Sequence, residues 1–178
     1  LLGTAGTIRS LNKFRESEAI LLAHADNFCD IDLRQLKRFH NRHSASISMV
    51  IFETDNPQDC GVVVHDKFNL VTEFYEKVPD PPSNKANAAV YIIDPSVINY
   101  VNSNSLANDF STQVIPNFMS DIKAFKHSGV LIDIGSFDRL RSAQLVDMTN
   151  LKNIVALPTK RPILLPEYLK IERELLEN

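Results

Sequence analysis

Short apolar runs and amphipathic stretches alternate along the chain, and the period of the pattern switches between two and nearly four. Residues 19–25 (Ala-Ile-Leu-Leu-Ala-His-Ala) form a short apolar run, the pattern of a strand buried on both faces. Asp32 is placed to cap a helix running to about His43, with Leu33, Leu36 and Phe39 or His40 on one face. Lys37, Arg38 and Arg42 in its last turns complement the negative end of the helix dipole. In residues 46–52, Ser46 and Ser48 alternate with Ile47, Met49 and Ile51, which predicts a half-exposed strand. Residues 61–65 and 70–76 flank Asp66-Lys67-Phe68-Asn69 and predict a hairpin. Residues 88–93 form another strand, followed by Asp94-Pro95, an N-cap with proline at the first helical position. Asp109-Phe110-Ser111-Thr112 opens a helix that continues through Val114, Ile115, Phe118 and Met119. Short strands are expected at 124–125 and 130–132, around Ser128-Gly129. Ser136 then caps a helix that turns Phe137, Leu140, Ala143 and Leu145 or Val146 inward. Beyond Asn150, Pro158, Pro162 and Pro166 punctuate a linker, and 166–178 predicts a short charged helix. Strand, helix, strand, hairpin, strand, helix is the order of an α/β fold.

Composition narrows this picture. A chain of 178 residues that is 44% hydrophobic fits one α/β domain over 1–148, with a sizeable core, followed by a proline-punctuated tail over 149–178. A net charge of −3 leaves no electrostatic footprint for nucleic acid. No apolar run approaches the roughly 20 residues that span a bilayer, so no membrane partner is expected. Cys29 and Cys60 lack zinc-ligand spacing and read as free thiols of a reducing cytoplasm. The histidines read as surface residues. Leu1-Leu2-Gly3-Thr4-Ala5-Gly6 has no initiator methionine and starts in mid-motif, so the chain is expected to be a fragment.

The candidate chemistry begins with two carboxylates. Leu22-Ala23-His24-Ala25-Asp26-Asn27 and Val130-Leu131-Ile132-Asp133 are apolar runs that end on an aspartate. Ligands of open α/β sheets collect beyond the carboxyl ends of strands. Either aspartate alone reads as a helix cap. Together they could hold one hard cation, and Mg²⁺ is usually bound by one or two carboxylates plus substrate phosphates. Gly3-Thr4-Ala5-Gly6 is a glycine-rich turn able to approach a ligand closely, or simply a turn. Glu76-Lys77 offers a carboxylate for sugar hydroxyls and a point charge for phosphate, or an exposed charge pair. Asn87 offers an amide that both donates and accepts, or a turn residue.

The order of these features is more specific than any one of them. Leu2-Gly3-Thr4-Ala5-Gly6, Asp26, Gly61, Glu76-Lys77, Asn87-Ala88-Ala89-Val90-Tyr91 and Asp133-Ile134-Gly135-Ser136 together resemble the sugar-1-phosphate nucleotidyltransferase family over roughly residues 1–146. Asp109-Phe110-Ser111-Thr112-Gln113-Val114-Ile115-Pro116 resembles the helix opening of its mannose- and heptose-1-phosphate guanylyltransferase branch. The resemblance implies a Rossmann-like mixed β-sheet flanked by helices. It also implies transfer of a nucleoside monophosphate, with GMP favoured, from a nucleoside triphosphate such as GTP to a sugar 1-phosphate. Carried over residue by residue, Gly3, Thr4, Ala5 and Gly6 would lie against the nucleoside. Asp26 and Asp133 would hold the catalytic Mg²⁺. Gly61, Glu76 and Asn87 would bind the sugar, and Lys77 its phosphate. Three departures stand out: His24-Ala25-Asp26 replaces the commoner Asn-Gly-Asp, Leu131 occupies a frequently aromatic position, and Ser136 replaces threonine.

The family's Gly-x-Gly-Thr-Arg loop, which contacts the triphosphate, has no match in these residues. The chain is therefore expected to be the C-terminal part of the enzyme, inactive by itself and with part of its sheet missing. Two other readings are a non-catalytic sugar-nucleotide-binding or regulatory subunit of the same fold, and an interaction domain. The tail leaves room for a homo-oligomer or a fused domain.

Overall fold

The structure is a computed structural model that describes residues 2–10 and 19–146. The expected linker and terminal helix, and the domain boundary before them, lie outside the described residues.

A six-stranded mixed sheet carries the fold. Its order is β5 (Val71–Glu76), β4 (Gly61–His65), β6 (Lys85–Ile93), β3 (Ile47–Glu53) and β7 (Ile122–Lys126). β1 (Ile20–Ala23) pairs with the second half of β6, on the edge that β4 occupies at the first half. β3 and β7 run parallel, and the other pairs are antiparallel. A small second sheet joins β2 (Asn27–Cys29) to β8 (Leu131–Asp133).

Helices cover both faces. α1 (Gly3–Ser10), α3 (Pro95–Ser103) and α4 (Phe110–Gln113) pack on one. There Ile47, Met49 and Ile51 of β3 meet Tyr91 and Ile93 of β6, Val97, Val101 and Phe110. α2 (Leu33–His43) covers the other, where Leu36 packs on Val50, Ala88, Val90 and Ile92. Alternating side chains of β3 and β6 thus feed two separate cores, as period-two geometry requires.

Local chemistry accounts for the best-defined elements. Asp32 caps α2 by accepting from the Arg34 and Gln35 amides at 2.9 and 3.0 Å. In the hairpin, Asp66 accepts from the Phe68 and Leu70 amides, both at 2.8 Å, and Asn69 takes the left-handed conformation that the turn needs (φ 62°).

Several expectations are corrected. The segment Gly3 to Gly6 is the first turn of α1 rather than a loop, with Ala5 and Gly6 buried. β1 is exposed on alternate residues, Leu21 at 48%, because Ile20 and Leu22 face the core while Leu21 and Ala23 point to the opposite face of the sheet. β3 is a central strand, not a half-exposed one: Ser48 is fully buried and bonds to His40 Nδ1 at 2.9 Å. His40 is buried too, and its Nε2 lies 2.9 Å from Asp94 Oδ1. Asp94 consequently spends its side chain on His40 rather than on capping α3. The helix opened by Asp109 stops at Gln113 and gives way to a 3₁₀ segment, Ile115–Asp121, because Pro116 has no N–H to continue the ladder. In α5 (Phe137–Gln144) only Ala143 is buried, while Phe137 and Leu145 point outward, 72% and 81% exposed.

Candidate active site

The carboxyl ends of β1, β3, β5 and β8 open onto one cleft of about 430 Å³, within the range of ~300–1,000 Å³ usual for small-molecule sites. Asp26, Gly61, Glu76, Lys77, Asn87 and Asp133 all line it. Gly3, Thr4, Ala5 and Gly6 do not. They adjoin it indirectly: Thr4 Oγ accepts from the Phe110 amide at 2.7 Å, and the next residue, Ser111, lines the cleft.

Asp26 and Asp133 are brought together by the small sheet. Asn27 pairs with Asp133 across β2 and β8, and the Ile134 amide donates to the Asp26 carbonyl at 2.7 Å. Gly135 lies beneath both carboxylates. A Cβ there would stand 2.9 Å from Asp133 Oδ1 and 3.8 Å from Asp26 Oδ2. Asp133 is already engaged, accepting from the Gly135 amide at 2.8 Å and from Arg139 Nη1 at 3.2 Å. Two hard oxygen donors suit a divalent cation that completes its shell with substrate phosphate and water. They fall short of an all-protein cage, and among the described residues no three His, Cys, Asp or Glu side chains gather into one.

A bulge in β6 ties this pair to Asn87. β3 advances from Met49 to Ile51 while β6 moves from Tyr91 to Asn87, and Ala89 takes φ 51°. The freed carbonyls hold the Asp26 turn: Asn27 Nδ2 donates to Ala88 O at 2.7 Å, and the His24 amide to Ala89 O at 3.2 Å. Asn87 lies within β6, not before it. Its Oδ1 accepts from the Ala89 amide at 3.0 Å and its Nδ2 donates to Tyr91 Oη at 2.6 Å, leaving one N–H and one lone pair for a ligand.

Gly61 faces Glu76 across β4 and β5, and its lack of a side chain is required. A Cβ would lie 2.7 Å from Glu76 Oε2 and 2.8 Å from Phe74 Cζ. Burial holds the Glu76 carboxyl above its ordinary range, opposed by the Lys77 charge. Lys77 is exposed and left-handed (φ 50°), and its amide is fixed on the Cys60 carbonyl at 3.1 Å. A non-glycine residue so held is the kind of local strain that clusters at functional sites.

Sequence reasoning missed Thr54, Asn56, Asp59, Ser111 and Arg139, which also line the cleft. A signal for the first two was present, since Thr54-Asp55-Asn56-Pro57 is a polar turn at the carboxyl end of β3. A second hollow, of about 720 Å³ beside α2 and β1, offers less chemistry because His40 has both ring nitrogens committed to Ser48 and Asp94. Among the described residues no helix is long and apolar enough to cross a membrane.

The chain resembles known proteins over most of its length. The mannose-1-phosphate guanyltransferase of Pichia angusta is 30% identical over 138 residues, 75% of this chain and 38% of the relative. The mannose-1-phosphate guanylyltransferase catalytic subunit beta of Drosophila melanogaster is also 30% identical over 138 residues, 75% of this chain and 37% of that protein. The chain thus spans about two fifths of the length of these relatives. In fold it matches a Bacillus anthracis protein assigned as a glucose-1-phosphate thymidylyltransferase, with TM-score 0.69, 20% identity, and coverage of 79% of this chain and 59% of that one. HddC from Yersinia pseudotuberculosis matches with TM-score 0.64 and 23% identity, over 80% and 61% of the two chains. The family model for nucleotidyl transferases aligns with residues 2–150, which contain every strand of both sheets and every residue of the cleft, so the chain belongs to the nucleotidyl transferase family.

Proposed function

We propose that this protein transfers a nucleoside monophosphate, GMP first among the candidates, from a nucleoside triphosphate to a sugar 1-phosphate and releases pyrophosphate. One observation carries the reading: Asp26, Asp133, Gly61, Glu76, Lys77 and Asn87, drawn from across the chain, line a single cleft. The guanyltransferase relatives support GTP as donor and mannose 1-phosphate as acceptor. The Drosophila relative's designation as a catalytic subunit supports assembly with a partner chain or a second copy. The free thiols of Cys29 and Cys60 support a reducing compartment such as the cytoplasm.

In this mechanism a phosphate oxygen of the sugar 1-phosphate attacks the α-phosphorus in line. The new O–P bond forms as the bond to the bridging oxygen breaks, and pyrophosphate departs with that electron pair. A phosphate dianion is already nucleophilic, so no side chain need remove a proton. Lys77 binds and orients the attacking phosphate, while Glu76, as a carboxylate, accepts hydrogen bonds from sugar hydroxyls. Asn87 adds its remaining N–H, and Gly61 lets the sugar approach β4 closely. The first turn of α1, at exposed Gly3 and half-buried Thr4, flanks the nucleoside end through Phe110, the neighbour of Ser111. Asp26 and Asp133 would hold Mg²⁺, which supplies charge neutralisation at the α-phosphate.

The test is pyrophosphate release by the full-length gene product, with GTP and mannose 1-phosphate and with other triphosphates and sugar phosphates. Turnover that requires both substrates and is lost in Asp133→Asn supports the reading. Tight binding of a nucleotide sugar without pyrophosphate release would instead support a non-catalytic subunit of the same fold.

A further inference from the structure

We propose that Arg139 is a phosphate-binding residue of this cleft, held by Asp133 and released to phosphate when a divalent cation takes that carboxylate. The inference rests on the function proposed above and adds a residue to it.

Arg139 is the third residue of α5, whose N-cap Ser136 accepts from its backbone amide at 3.3 Å. A basic side chain in the first turn opposes the helix dipole, so this position does not serve α5. The guanidinium makes one contact to Asp133, Nη1 to Oδ2 at 3.2 Å, with both side chains about half exposed. That is a single-pronged, solvent-screened pair rather than the two-pronged grip of which arginine is capable.

The Asp133 carboxylate cannot serve two cations well. Its Oδ1 accepts from the Gly135 amide, and its Oδ2 is the oxygen that Arg139 holds. A divalent ion held by Asp26 and Asp133 would carry the same sign of charge as the guanidinium and repel it. The freed side chain has an obvious destination, because Arg139 already lines the cleft that Lys77 lines. Both charges also act on the half-buried Cys60 thiol, so the two cations share one neighbourhood. A phosphate between them would receive the point charge of Lys77 and the planar fork of Arg139. Cation and phosphate binding would thereby be coupled through a single exchange of partners.

The experiment uses the full-length gene product, with Mn²⁺ as the metal probe and mannose 1-phosphate as the phosphate probe. Mn²⁺ binding is followed by electron paramagnetic resonance, and sugar phosphate binding by calorimetry with and without Mn²⁺. Arg139→Gln should bind Mn²⁺ at least as tightly as wild type, because a competitor for Asp133 is gone. Mannose 1-phosphate affinity in the presence of Mn²⁺ should fall roughly tenfold in Arg139→Gln, the order expected for one charge-assisted hydrogen bond. Without Mn²⁺ the variant and wild type should bind it alike, and Arg139→Lys should recover only part of the loss. Unchanged affinities for both probes would make Arg139 an exposed ion pair and overturn the proposal. Weaker Mn²⁺ binding in Arg139→Gln would also overturn it, by making Arg139 a support for Asp133. If wild type binds neither probe, the functional reading fails as well, so the two failures are distinguishable.

Discussion

His127 Nε2 lies 3.1 Å from Asp30 Oδ1, and the same oxygen accepts a hydrogen bond from the Val130 amide at 2.7 Å. Both side chains are largely buried, 9% and 13% exposed. The contact joins the loop between β7 and β8 to the end of β2, and so sets the small sheet that brings Asp133 beside Asp26. Gly129 belongs to the same arrangement, since a Cβ there would collide with Asp30 Oδ1.

Removing His127 should therefore act on both stability and metal binding. His127→Ala removes the imidazole that bonds the Val130 carbonyl at 3.1 Å and packs against the Asp30 carboxylate, and leaves that carbonyl short of a partner at a cost of about 1–3 kcal/mol. Urea unfolding should show that loss, and Mn²⁺ affinity should fall with it. Unaltered values of both would mean that the loop is held by other contacts.

Asp26 and Asp133 should behave as one unit in catalysis. If they share a metal ion, Asp26→Asn or Asp133→Asn should each remove most of kcat, and the double variant should be scarcely worse than either. Steady-state pyrophosphate release measures this directly. Multiplicative losses in the double variant would show that the carboxylates act separately.

Gly61→Ala tests the close approach to Glu76. The added methyl would press on Glu76 Oε2 and the Phe74 ring, and overpacking of this kind costs about 1–3 kcal/mol. Because Glu76 is the group displaced, KM for the sugar phosphate should rise more than KM for the triphosphate. Equal changes in both would separate Gly61 from sugar binding.

Glu76 gives the site a pH dependence of definite sign. Burial raises its carboxyl pKa in the folded chain, with Lys77 opposing and Asp109 adding to the rise. The folded state then holds that proton more tightly than the unfolded state. Its stabilising contribution is present at acid pH and is lost as pH rises through the folded pKa. Glu76→Gln should accordingly raise Tm at neutral pH and leave it unchanged below the ordinary glutamate range. Sugar binding runs the other way, because it needs the carboxylate, so the acid limb of kcat/KM should lie above that range and vanish in Glu76→Gln. A difference in Tm that does not vary with pH would rule this out.

The features that could be read from the chain alone are those whose cause is local. Asp32 and Asp66 act within a few residues of themselves, and their helix and hairpin have nearly the expected bounds. Ser48 and Asn87 were misjudged because their partners come from elsewhere or from an irregularity. Ser48 lies in a central strand with His40 of α2 bonded to it, and Asn87 pairs with Ile51 on the near side of the bulge at Ala89. Pro116 lies inside the apolar spacing that runs to Met119, and there the expected helix gives way to a 3₁₀ segment. Of the cleft, Asp26, Glu76, Lys77 and Asp133 could be found at strand ends, whereas Arg139 looks like any solvated helical arginine until Asp133 is seen beside it.

The bulge carbonyls at Ala88 and Ala89 suspend the Asp26 turn from β6 by the main chain of that strand, not by its side chains. The span between the Asp26 turn and Asn87 is thus set by backbone, and the left-handed Ala89 and the buried Ala88 restrict what can stand at either position. Side chains that face the cleft from other elements can change while this span stays constant.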